Sequence, residues 1–179
     1  MSTGPRSSFI SSNWSTAAEV LAKAYDWVLC QGASPKVQPP HGLVVSIATT
    51  LLFFPDALEK GGFPHILKKW FFCSILAKNP LPQTNFKVSD DFRKLKEFLD
   101  NGKKLNFPSV SFTPAEIIDV KHTSDTRYGA IQALMRTTAK NDLITGLPLN
   151  DDTEDHHIFP YSFVRPKVET PVFRRVAFS

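Results

Sequence analysis

The stretch DLITGLPLNDDTEDHHIFP, residues 142–160, decides how this chain is interpreted, because it contains the cluster Glu154-Asp155-His156-His157. Nowhere else in the sequence do two imidazoles and two carboxylates fall within four consecutive residues. Carboxylates and imidazoles bind divalent metals, and a neutral imidazole also accepts a proton near neutral pH. The following Ile158-Phe159-Pro160 is typical of a short strand that ends at the proline. Since neighbouring strand residues face opposite sides, one imidazole is free to bind a metal while the other activates water.

This cluster carries a family resemblance. His157-Ile158-Phe159-Pro160 resembles the H-I-x-P signature of HNH endonucleases, the ββα-metal or His-Me finger nucleases. With Thr145-Gly146 upstream, the longer run is similar to GmrSD-type restriction proteins. The resemblance implies that His157 is the catalytic general base, that His156 is a metal ligand and that Asp155 is a second, carboxylate ligand. It also implies Mg²⁺ as the cofactor, or Mn²⁺ or another divalent metal, and DNA as the substrate.

The residues after Pro160 depart from the HNH pattern. That pattern implies a downstream loop with a metal-binding Asn and then a helix, whereas residues 151–179 contain no Asn and no helical periodicity. We therefore expect a chain truncated after the H-I-F-P motif, corresponding to the C-terminal portion of a longer protein or to half of a split system. In the resembled proteins the nuclease module follows an NTPase-like module, which makes such a module a possible partner. The implied role is restriction or anti-phage defence.

The basic residues of this last segment are candidates for contacts with DNA phosphates. A solubilising tail accounts for them equally well. They are Arg165, Lys167, Arg174 and Arg175.

Three functions remain open on the sequence, the third of which is a metal-independent interaction protein without nuclease ancestry. The first is a metal-dependent HNH endonuclease that hydrolyses DNA phosphodiester bonds. The second is a non-catalytic helical binding module, or nuclease remnant, that retains only the first part of the motif. The missing Asn and helix favour the second, and the order of residues around His157 favours the first.

Composition places the chain among ordinary globular proteins. Its 179 residues are 42% hydrophobic and 21% charged, and its formal net charge of +4 is compatible with a polyanionic partner. Neither a signal peptide nor a run long enough to span a bilayer is evident, so we expect a cytoplasmic protein without membrane association. Cys30 and Cys73 are predicted to be reduced thiols buried in the core.

Apolar periodicity predicts six helices before the histidine cluster. The second of these regions, 43–54, also has the β-branched content of a strand, but its length and its helical neighbours favour a helix. Trp14, Trp27 and Trp70 are expected in the core. The predicted helices cover residues 16–32, 43–54, 64–78, 89–101, 113–120 and 128–140.

Together these features predict a mainly α fold. Residues 1–13 are expected to form a flexible tail, 14–140 a helical domain and 141–179 a small β-containing HNH nuclease-like segment of the ββα-metal type. This last segment is expected to be incomplete.

Overall fold

The structure is a computed structural model that describes residues 5–33, 39–77, 85–113, 126–138 and 141, with side chains from residue 13 onward. These ranges contain five α-helices, a single 3₁₀ turn and no β-strand. The mainly α prediction is therefore confirmed for the described part of the chain. The helices are α1 (Pro5–Cys30), α2 (His41–Phe53), α3 (Phe63–Leu76), α4 (Asn85–Asn101) and α5 (Thr126–Thr138), and the 3₁₀ turn is Ala57–Glu59.

Helix α2 lies at the centre of the described fold and contacts both α1 and α4. Seven of its 13 residues are buried. Two of these are polar, and each satisfies its hydroxyl within the helix: Ser46 Oγ donates to the Gly42 carbonyl at 2.9 Å and Thr50 Oγ1 to the Ser46 carbonyl at 2.8 Å. These bonds let a segment rich in β-branched and hydroxyl residues form a buried helix. It ends at Phe53, two residues before Pro55.

Helix α3 supplies the largest apolar face of the core. Its first turn contains Pro64, which has no backbone N–H to leave unpaired, as the sequence predicted. The ring of Phe71 meets Trp27 of α1 edge-on, with centroids 5.9 Å apart. The buried side chains of α3 are Phe63, Leu67, Trp70, Phe71, Phe72, Ser74, Ile75 and Leu76.

Helix α1 begins at Pro5, well before the predicted start at Thr16, and so includes most of the segment expected to be a flexible tail. Proline fits the first turn of a helix, and nothing in residues 6–15 breaks one. Among its described side chains only Ala24 and Val28 are fully buried. The helix is closed as predicted: Gly32 has φ +88° and its N–H donates to the Leu29 carbonyl at 2.9 Å.

Helix α4 also begins earlier than predicted, at Asn85 rather than at a Ser89 cap. The extra turn places Lys87 beside Asp91, and this ion pair between positions i and i+4 joins the added turn to the rest of the helix. Leu95 is buried, and Phe98 lies 6.0 Å from Phe63 between ring centroids. The helix ends at Asn101, as predicted.

One hydrophobic cluster contains buried side chains from all five helices. The predicted helix at 113–120 and the predicted HNH segment fall on residues outside the described ranges, except for Thr113 and Asn141. No helix in the described ranges has the length and apolar character needed to cross a bilayer.

Candidate functional site

The residues predicted to perform catalysis and bind the metal lie outside the described part of the chain. Their roles therefore remain predictions based on the motif. They are His157, His156 and Asp155. The same is true of the predicted phosphate contacts Arg165, Lys167, Arg174 and Arg175.

Within the described residues, no three side chains of the His, Cys, Asp or Glu type come together in a way that could hold a metal ion. Of the isolated histidines, His41 joins two helices through a contact of 3.1 Å between its Nδ1 and the Tyr25 hydroxyl. His65 is exposed on α3, and His122 lies outside the described ranges. The contact with Tyr25 gives His41 a structural role.

Both cysteines are free, but neither is fully buried as predicted. Cys30 is exposed at the last residue of α1. Cys73 is half-buried, and desolvation raises its pKa, an effect that the nearby Lys69 charge partly opposes. A raised pKa keeps the thiol protonated, so Cys73 is a poor nucleophile.

Lys87 and Asp91 form the most buried ion pair of α4. The Asp91 residue is 1% exposed, and the Lys87 side chain is 17% exposed. Burial raises the pKa of the Asp91 carboxyl, while its hydrogen bond and charge interaction with Lys87 act in the opposite direction. A buried carboxylate beside an ammonium group one turn away on the same helix is typical of a structural pair.

The outer face of α4 carries a chain of exposed ion pairs. Asp90 accepts from Arg93 and Lys94, each at 2.5 Å, and Glu97 accepts from Arg93 at 2.9 Å and from Lys103 at 2.7 Å. The hydrogen bonds of Lys94 and then Arg93 lower the pKa of Asp90, and those of Lys103 and then Arg93 lower the pKa of Glu97. Exposed ion pairs of this kind are typical of a solvated helix face.

A small apolar groove lies between α3 and α5. No titratable side chain lines it, so it provides no group for acid–base or metal chemistry. Its walls are Ala33, Pro39, Pro40, Phe71, Phe72, Ile75, Thr126, Gly129, Ala130 and Ala133.

The fold brings together a group of cations that the sequence does not indicate. Lys23, Lys60 and Lys96 come from three separate parts of the chain and meet at the end of α2, around Phe54 and Pro55. No motif or local charge run indicates this group, because its members are more than 30 residues apart in sequence. Only the tertiary contacts reveal it.

No family model matches the chain, and comparison with curated proteins and with solved structures likewise gives no significant match.

Proposed function

We propose that the chain is a metal-dependent HNH-type endonuclease that hydrolyses phosphodiester bonds in DNA. The observation that carries the proposal is the order of residues Asp155-His156-His157-Ile158-Phe159-Pro160. The role proposed with it is restriction or anti-phage defence, with an NTPase-like module as a further partner.

Each residue of the motif has a donor atom suited to its proposed role. A neutral imidazole at His157 takes the proton from the attacking water. The imidazole of His156 and the carboxylate of Asp155 would hold a divalent cation, Mg²⁺ or a transition metal such as Mn²⁺. Such a cation, when bound, neutralises charge on the scissile phosphate and the leaving oxygen. Adjacent positions on a strand would keep the base and the imidazole ligand on opposite sides of the backbone.

A non-catalytic helical binding module is the second candidate, and a specific observation favours it. Residues 151–179 contain no Asn, although the HNH pattern places a metal-binding Asn after the histidine motif. The described helices, by contrast, share one packed core. A folded helical unit without a complete metal site would bind its partner without cutting it.

Plasmid nicking by the purified chain tests the proposal. Supercoiled plasmid is incubated with the protein in Mg²⁺ or Mn²⁺, and the same reactions are run with EDTA. His157→Ala removes the proposed base. His65→Ala is the matched control, since His65 is exposed on α3 and lies far from the motif in sequence.

The endonuclease proposal expects nicking that requires metal, survives His65→Ala and falls by about 100-fold or more in His157→Ala, the usual effect of losing a general base. Nicking that is unchanged in His157→Ala would contradict the proposed role of that residue. A protein that is inert under every condition but binds DNA would support the second candidate.

A further inference from the structure

We propose that the end of α2 forms a nucleic-acid contact site, made by the ammonium groups of Lys23, Lys60 and Lys96 and the exposed ring of Phe53. The site goes beyond the catalytic motif and does not require that motif to be active. We define it as the α2-end cluster.

Two of its cations lie over one aromatic ring. Lys60 Nζ is 5.3 Å and Lys96 Nζ is 5.6 Å from the ring centroid of Phe54, so the two nitrogens are separated by no more than the sum of these distances. Both lysines are exposed. Contact with the ring face holds each ammonium group in place without neutralising it. Two positioned charges within this range can contact phosphates of a single strand.

The third cation, Lys23, lies at the C-terminal end of α2. Lys23 Nζ donates to the Pro55 carbonyl at 3.3 Å, next to the C-terminal end of α2, which has no basic residue in its own last turn. A cation at that place compensates the helix dipole. The helix end needs no further cation, so Lys60 and Lys96 are available to an external anion, Lys96 once it leaves the carboxylate of Asp100.

Three acidic residues lie near the cluster in sequence or by contact, Asp56, Glu59 and Asp100. Lys96 pairs with Asp100 one turn along α4, and both side chains of that pair are solvent-accessible. An exposed pair of this kind exchanges its partner readily, so a phosphate can compete with Asp100 for Lys96. In the described ranges, Lys60 makes no ion pair with the acidic residues that flank it, Asp56 and Glu59.

An aromatic surface adjoins the cations and argues for nucleic acid rather than an acidic protein. Phe53 is 62% exposed, and its ring lies 5.2 Å from that of Phe92. Phe92 and Lys96 are one turn apart on α4, so the same face of that helix contacts Phe53 and Phe54 in succession. An exposed ring beside ordered ammonium groups is the arrangement on which unpaired bases stack while their phosphates are neutralised.

The test measures binding of a fluorescent single-stranded oligonucleotide to the full chain by anisotropy, in EDTA and at several salt concentrations. The test variant is Lys60→Ala with Lys96→Ala. The matched control is Lys68→Ala with Lys104→Ala, which removes the same charge from residues that contact neither the Phe54 ring nor the Pro55 carbonyl. Phe53→Ala tests stacking, and circular dichroism verifies that each variant is folded.

A plot of the logarithm of the association constant against the logarithm of the salt concentration has a negative slope. We expect the test variant to make this slope less steep by about 1.4, the value for two lost phosphate contacts with a single strand. We expect Phe53→Ala to weaken binding by about tenfold with little change of slope. Equal losses in test and control variants would overturn the site, as would tight binding of polyglutamate that is indifferent to Phe53. Because EDTA excludes metal-dependent cleavage, this result is independent of the outcome for His157.

Discussion

Asp90 and Asp91 are adjacent in sequence but lie in opposite environments. Asp90 is accessible and its pKa is lowered by Lys94 and Arg93, whereas Asp91 is buried and its pKa is raised. A helix turns about 100° per residue, so adjacent carboxylates face water and core respectively. The helical spacing from Leu95 places Asp91 on the apolar face, but the sequence does not show which cation pairs with it there.

Lys87→Met tests the buried pair. Breaking such a pair leaves a carboxylate buried without its cation, and we expect a loss of about 3 kcal/mol of unfolding free energy at neutral pH. Lys94→Met is the matched control, since its partner Asp90 remains accessible, and we expect a change within about 0.5 kcal/mol. Urea titrations of the two variants and the parent chain measure both values. Equal losses in the two variants would contradict the prediction.

The loss of unfolding free energy in Lys87→Met is expected to depend on pH. Because the folded pKa of Asp91 is raised, the native state holds this proton more tightly than the unfolded chain does. The carboxyl therefore favours the native state at pH below its unfolded pKa, and that contribution is lost as pH rises through the folded pKa. Lys87 opposes the rise, so Lys87→Met should raise the pKa further. We expect the destabilisation to shrink as the titrations are repeated at progressively lower pH.

At the scale of helices, apolar periodicity predicted every helix that the structure describes but missed the starts of two of them. The starts of α1 and α4 were placed at Thr16 and Ser89, where side chains suitable for capping occur. Capping residues also occur inside helices, and the pairing of Lys87 with Asp91 stabilises a further turn. The prediction that Trp14 lies in the core was wrong, since its side chain is 68% exposed. The apolar pattern of a helix does not show how far along its length the other helices pack.

Gly32, just after the end of α1, lies very close to the backbone of α5. A Cβ added at Gly32 would lie 2.5 Å from the Ala133 carbonyl oxygen of α5, and Gly32 has φ +88°. Gly102 ends α4 with φ +65°, but a Cβ there would meet no atom within 4 Å. Gly32→Ala therefore combines a steric clash with left-handed strain, whereas Gly102→Ala has the strain alone, about 1 kcal/mol.

We expect Gly32→Ala to lose at least about 2 kcal/mol of unfolding free energy, since α1 or α5 must shift to relieve the contact. Chemical denaturation of both variants gives the comparison. Similar losses for the two glycines would show that α5 does not approach the end of α1 as closely as described.

Across the whole molecule, the sequence indicated a helical domain, and the structure shows why its helices form one unit. Trp70 is 2% exposed, and Trp27 meets Phe71 across the boundary between α1 and α3, so residues distant in sequence share one core. Which helices contact one another could not be predicted, because several amphipathic helices can bury their apolar faces in more than one arrangement. The α2-end cluster could not be predicted for the same reason, because its three lysines are more than 30 residues apart in sequence.

A single shared core predicts that the helices unfold together. Buried side chains from all five helices belong to one cluster, so separating any helix exposes apolar surface on the others. Tryptophan fluorescence and ellipticity at 222 nm, followed through a urea titration, should therefore give coincident transitions. The measurement is cleanest in Trp14→Phe, which removes an exposed indole and leaves Trp27 and Trp70 as reporters of the core. Fluorescence that changes at lower urea than ellipticity would mean that α1 and α3 separate while the remaining helices persist, and would contradict a single cooperative unit.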